Sequence, residues 1–264
     1  MADKTIPGDI LSLQEITTPT SVGTRGAIYP KSDNKFYFQD GAGIEHQVSL
    51  SADHYAAMNV HGNDANPTVI GEKDTPIGAR GLIAGTLSNF TFDAGSTGPI
   101  ASFVNAAGGN VTVGDVGHGL EDGEVISISG TTNYNGVFTV QNKADDTFEI
   151  THSDDGDDAT GDWYQGSHLI VGAGGDGDYI SIYTINASSG GANKEFEWHL
   201  FKNAVQQNDS HINHDFLGAA SEQNVSGNAI IALAENDIVW VGVTGLDDGT
   251  NITHISISVT IHKF

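Results

Sequence analysis

Asn251-Ile252-Thr253-His254-Ile255-Ser256-Ile257-Ser258-Val259-Thr260-Ile261-His262-Lys263-Phe264 closes the chain and decides its fold class. Ile255, Ile257, Val259 and Ile261 alternate with His254, Ser256, Ser258, Thr260 and His262. A period of two sends successive side chains to opposite faces of a strand, one buried and one wet. The expectation is a closing strand whose isoleucine face is covered by a second sheet and whose face from His254 to His262 stays wet.

Working backwards, 179–185, 195–201, 229–233 and 237–243 carry the same β-rich pattern. In 195–201, Phe196, Trp198 and Leu200 point inward, and Glu195, Glu197 and His199 outward. A two-sheet jelly roll needs about eight strands, and the missing ones are sought in residues 53–93, at 54–60, 68–71 and 87–93. Between these two parts lies a compact segment with its own strands, at 110–113, 124–129, 138–140 and 147–151. Asn135-Gly136 within it predicts a type I′ hairpin turn. Upstream, Ser32-Asp33-Asn34 and Asp40-Gly41-Ala42-Gly43 predict a pair of hairpins over 27–48, and residues 1–26 read as an extended arm. The chain is therefore expected to be all-β. A discontinuous jelly-roll sandwich (51–95 and 166–264) is interrupted by a small inserted β-barrel or sandwich domain (96–165) and preceded by an arm and hairpins (1–50).

Ten basic residues stand against thirty-four acidic ones, a formal net charge of −24. Nucleic-acid affinity comes mainly from Lys and Arg meeting phosphate, so nucleic acid and anionic membranes are not expected partners. There is no cysteine, which removes disulfides, thiol catalysis and Cys-ligated metals. No apolar run approaches the roughly 18–20 residues of a membrane helix. The opening Met1-Ala2-Asp3-Lys4-Thr5 lacks the basic and apolar regions of a secretory signal. Thirty-four glycines suit a turn-rich β protein.

Candidate chemistry is sparse. Asp154, Asp155, Asp157 and Asp158 surround Gly156 and offer carboxylates to Ca2+, the one possible cofactor, but lack the spacing of an EF-hand. They also read as a plain acidic turn. His211 and His214 have a spacing that binds zinc on a helix, but the stretch lies between strands with no Cys or third His nearby and reads as a solvated loop; the alternative is a histidine cluster that meets its copies near a symmetry axis. Trp163, Trp198 and Trp240 are candidates for a sugar platform or for core. No G-x-S-x-G, P-loop or H-E-x-x-H occurs, and no catalytic residues are expected.

Three stretches carry a resemblance. Phe36-Tyr37-Phe38-Gln39-Asp40-Gly41-Ala42-Gly43-Ile44-Glu45-His46 resembles a hairpin near the N-termini of tailed-phage fibre and decoration proteins. Gly117-His118-Gly119-Leu120 through Val137-Phe138-Thr139-Val140 looks like a module recurrent in phage structural proteins, and residues 146–150 and 158–163 fit it too. Residues 179–185, 195–203 and 233–241 are similar to trimeric jelly rolls of the C1q/TNF-like kind; Lys202-Asn203-Ala204 departs from the usual turn there. The resemblance implies a non-enzymatic homotrimer made in the host cytoplasm and displayed on the outer capsid surface of a virion. Its partners would be itself and the major capsid protein, met through the N-terminal region at Ile10, Leu11, Leu13, Tyr29, Phe36 and Phe38. The alternative is a receptor-binding tail-fibre tip that grips a host-surface glycan.

Overall fold

The computed structural model describes residues 27–31, 36–40, 42–48, 54–61, 73–153, 155–156, 158 and 160–264. Among them every regular element is a strand. The chain divides into two units, 1–52 and 53–264.

In the first unit, β1 (Ala27–Pro30), β2 (Phe36–Gln39) and β3 (Glu45–Val48) form an antiparallel meander. Asp40 makes the second turn. Its Oδ1 accepts the amides of Ala42 and Ile44, both at 2.9 Å, and Gly43 takes the positive φ of 82° that the bend requires.

The second unit is a jelly-roll sandwich carrying an insertion. One sheet contains β4 (Tyr55–His61), β6 (Ile83–Ser88), β16 (Gly177–Ser189), β19 (Glu222–Leu233) and β21 (Ile252–Lys263), in the order β19-β16-β21-β4-β6. The other contains β5 (Ile77–Gly78), β7 (Phe90–Asp93), β15 (His168–Val171), β17 (Lys194–Lys202), β18 (Val205–Phe216) and β20 (Ile238–Gly245). Its order is β18-β17-β20-β15-β7, with β5 on β20. Met58, Tyr179, Tyr183, Phe196, Trp198, Phe216, Ile257, Val259 and Ile261 fill the space between. Each such aliphatic side chain contributes roughly 1.5–3 kcal/mol on full burial.

The closing strand departs from strict alternation at Ile255. Across from it β16 pairs Asn186 with Ser256 and Ala187 with His254, so Ile255 is an extra residue in a β-bulge. A bulge reverses the facing of everything on one side of it. Ile257, Val259 and Ile261 keep the core face, while beyond the bulge Ile252 and His254 turn inward and Ile255 is left half-buried. His254 was expected on the wet face and is instead buried, accepting a hydrogen bond from Trp198 Nε1 at 3.0 Å.

Three further expectations are corrected and one, for His199, is qualified. Residues 87–93 are not one strand: Asn89, at φ 60°, separates β6 from β7, which lies in the opposite sheet. Residues 205–216 are a strand, although their polar sequence showed no apolar alternation. His199, placed outward by parity, does sit on the outer face but is buried there beneath its neighbours. Asn135-Gly136 does not form a type I′ turn, because φ at Asn135 is not positive. Instead Asn135 Oδ1 accepts the amide and hydroxyl of Thr131, both at 2.9 Å, and closes a longer loop. The strand expected at 68–71 lies outside the described residues.

The insertion comprises β8 (Thr97–Pro99), β9 (Ser102–Ala106), β10 (Asn110–Gly114), β11 (Val125–Ser129), β12 (Gly136–Thr139), β13 (Thr147–Thr151) and β14 (Asp162–Tyr164). They make a three-stranded sheet, β13-β10-β9, and a four-stranded sheet, β12-β11-β14-β8. Between them lies a separate core around Phe103, Val111, Ile128, Tyr134, Phe148 and Trp163. The chain leaves the sandwich from β7 and returns on β15, which pair with each other from His168↔Asp93 to Val171↔Phe90. An excursion between two hydrogen-bonded neighbours leaves the host ladder intact. At the junction, Gly78 and Gly166 lie back to back, and a Cβ on Gly166 would fall 2.7 Å from the Gly78 Cα. β11 is buried on both faces because Val125 packs onto Phe201, Ile238 and Trp240 of the sandwich.

Candidate functional site

The outer face of the β19-β16-β21-β4 sheet is laid out in four rows by its register. Ile230, Ile180, His262 and Tyr55 form one row; Asn228, Ile182, Thr260 and Ala57 form the next. Ser226, Thr184, Ser258 and Asn59 follow, and then Asn224, Asn186 and Ser256. These rows contain no carboxylate, lysine or arginine. Acidic residues on these two outermost-paired strands, Asp178 and Glu222, stand at opposite ends. At the apolar end Ile182 is 50% exposed and Ile230 65%. β16 therefore presents Tyr179, Tyr183 and Ile185 to the core and Ile180 and Ile182 to the outside, which is not the pattern of a face meant only for water.

The opposite sheet is charged on its outer face. Glu195 lies directly across from Asp215, and Glu197 follows on the same side. His199, also on that side, is only 3% exposed. Its ring stacks on His211 with centroids 4.8 Å apart and planes 9° apart. Glu197 Oε2 lies 3.6 Å from His199 Nε2 and 3.3 Å from His211 Nε2. Burial pushes the His199 pKa down, against the opposing pull of Glu197.

His211 and His214 do not meet. Three residues apart on a strand, they face opposite sides: His211 outward to Glu197, and His214 toward the core, edge-on to Phe216 at 5.2 Å. The spacing that serves a helix fails on a strand. The partners His211 does find, Glu197 and His199, sit on the neighbouring strand, and sequence reasoning did not connect them. Their shared outward parity was the available signal.

Of the acidic turn, Asp154 and Asp157 lie outside the described residues. Asp155 is exposed and accepts from the Ser153 hydroxyl, and Asp158 is a brace. Asp158 Oδ2 accepts the Thr132 amide at 2.6 Å, and Oδ1 accepts the Thr160 hydroxyl at 2.7 Å. Its oxygens are spent on the loop.

The three tryptophans are core. Trp163 donates Nε1–H to the Asp115 carboxylate at 2.7 Å, Trp198 donates to His254, and Trp240 stacks on Phe201 with centroids 4.1 Å apart. None presents a platform to a sugar. His118 is likewise structural. Its Nε2–H donates to the Ala144 carbonyl at 2.8 Å and its Nδ1 accepts the Leu120 amide at 2.9 Å, which ties the Gly117–Leu120 bend to the facing loop.

Of the proposed attachment residues, Ile10, Leu11 and Leu13 lie outside the described residues, and of Phe36 only the backbone is described, in β2. Tyr29 is buried, with its hydroxyl donating to Glu45 Oε2 at 2.5 Å. Phe38 is 37% exposed.

No protein family and no curated protein matches the chain. A structure of infectious bursal disease virus, Gx strain, aligns over 98% of this chain and 73% of that one at 12% identity. Its TM-score of 0.22 is too slight an overlap to bear on fold or function.

Proposed function

We propose that this chain is a homotrimeric structural protein of a tailed-phage particle, a decoration protein or short head fibre on the outer capsid surface. The observation that carries the assembly is the outer face of the β19-β16-β21-β4 sheet, whose four central rows hold no carboxylate, lysine or arginine, with Asp178 and Glu222 at its two ends. Each chain bears a formal −24, so copies brought together repel one another over most of their surface. Self-association needs a contact free of like charge, and this face supplies one, with Ile180, Ile182 and Ile230 as its apolar end. Closing three copies about an axis buries a sheet face that a lone sandwich leaves wet.

Placement on a phage rests on the sequence resemblances over 36–46 and 117–140, together with the jelly-roll sandwich that trimeric surface proteins of this kind use. In this reading the N-terminal meander faces the major capsid protein, and the insertion projects from the sandwich. The protein acts by binding and covering rather than by catalysis. The test is copy number and position. Quantitative mass spectrometry of purified particles, with imaging of labelled protein, should give many copies per capsid on the head. Absence from the particle, or confinement to a tail tip at a few copies, would overturn it.

A further inference from the structure

The edge hairpin β17–β18 is interrupted halfway. Its ladder runs from Lys194↔Phe216 to Trp198↔Ile212, breaks, and resumes at Leu200↔Gln207. Between the two halves β17 spends only His199, while β18 spends residues 208–211. Ser210 holds this wide bulge inward. Its Oγ accepts the Leu200 amide at 2.8 Å and donates to the Gln207 carbonyl at 2.5 Å, and its own carbonyl accepts the Tyr183 hydroxyl. With Ser210 turned in, His211 is turned out, over the His199 ring. The two histidines thus meet where the backbone pairing is missing.

Glu197 completes the group. A carboxylate oxygen of Glu197 and one ring nitrogen from each histidine all lie within 4.8 Å of one another. Gln206 brings its amide to 3.1 Å from His199 Nε2. A tetrahedral ion with ligand bonds of about 2.0–2.1 Å has donor–donor edges of roughly 3.3 Å. The two Glu197–histidine edges, 3.3 and 3.6 Å, already have that length. The near-parallel rings must tilt so that both lone pairs point at one ion. His211 is exposed and free to make that adjustment, whereas buried His199 is the fixed ligand. To bind an ion through Nε2, the His199 ring is neutral and carries its proton on Nδ1. A flip of the Gln206 amide would add its carbonyl oxygen as a fourth donor.

We infer that Glu197 Oε2, His199 Nε2 and His211 Nε2 form a site for one first-row transition ion of the zinc class, which staples β18 to β17 across the bulge. Two imidazoles and one carboxylate suit Zn2+, Ni2+ or Cu2+. They do not suit Ca2+, which takes six to eight oxygens. Such an ion replaces the cross-strand bonds that the bulge removes from an otherwise exposed edge.

The test uses the full-length protein, stripped with chelator and titrated with Zn2+ by calorimetry, with Co2+ as a spectroscopic probe. The expected result is one saturable Zn2+ per chain, a rise in melting temperature, and visible d–d bands from Co2+ in a low-symmetry nitrogen and oxygen environment. His211→Ala, at an exposed position, should keep its far-UV circular dichroism and weaken binding by at least ~10–100-fold. Glu197→Gln should do the same, and the control Glu235→Gln, at an exposed position elsewhere, should bind as the parent does. No saturable binding overturns the site. So does binding that His211→Ala leaves unchanged, since the metal would then be held by the general acidic surface, and so does equal competition by Ca2+.

Discussion

Lowering the pH should weaken the sandwich through one residue, His254. It is 1% exposed, and burial alone pushes its pKa from 6.5 down to about 4. Protonation would also set an N–H against the Trp198 N–H that it now accepts. The folded state holds this ring neutral while the unfolded chain takes up a proton below about 6.5. The neutral ring's contribution is therefore complete above that pH and is lost as pH falls toward 4. With folded and unfolded values of about 4 and 6.5, going from pH 7.5 to 5.0 removes about 2 kcal/mol. Carboxylates titrating in the same range act on the total, so the measurement is a difference. Urea unfolding of the parent and of His254→Gln, which keeps an acceptor for the indole, is followed at both pH values by tryptophan fluorescence. The parent should lose about 2 kcal/mol more than the variant over that interval. Equal losses in both would refute the buried, neutral ring and with it the bulge that turns residue 254 inward.

Three other outcomes follow from the same structure. Asp115→Ala leaves the Trp163 indole N–H without its partner inside the insertion and should cost roughly 1–3 kcal/mol, read by thermal unfolding; Asp115→Asn, which keeps an acceptor, should cost less. Gly166→Ala forces a methyl against the Gly78 backbone and should destabilise by roughly 1–3 kcal/mol, with a lowered melting temperature as the readout. Assembly concentrates three formal charges of −24, so its dissociation constant should fall as salt rises from about 0.01 to 0.15 M, over which the screening length shrinks from about 30 to 8 Å; sedimentation velocity across that range measures it.

The sandwich was legible wherever burial follows a simple period. Phe196, Trp198 and Leu200 alternate without interruption and lie in the core as read. Legibility failed where a local irregularity changes parity. The bulge at Ile255 leaves no mark in a run of isoleucine and serine, so His254 was placed on the wrong face. β18 was missed because an edge strand with one face open can be polar along most of its length, and its residues 206–215 are Gln, Asn, Asp, Ser and His apart from Ile212. The Asn135-Gly136 pair misled because asparagine can also close a loop through its side chain, as it does to Thr131. The histidine cluster joins residues 197, 199 and 211 across a bulge whose size no spacing rule supplies. The outer sheet face was half visible. Ile180 and Ile182, two apart on one strand, share a side, but which side faces the core depends on the flanking Tyr179 and Tyr183.

The central claim is that this sheet face joins three copies. Sedimentation equilibrium of the full-length protein at moderate salt, beside Ile182→Asp, tests it most directly. Ile182 is half exposed in the single chain, so the substitution leaves the core packing untouched. The account predicts a mass of three times 27.6 kDa for the parent and a folded 27.6 kDa monomer for the variant. A monomeric parent, or a variant that remains trimeric with unchanged affinity, would contradict it.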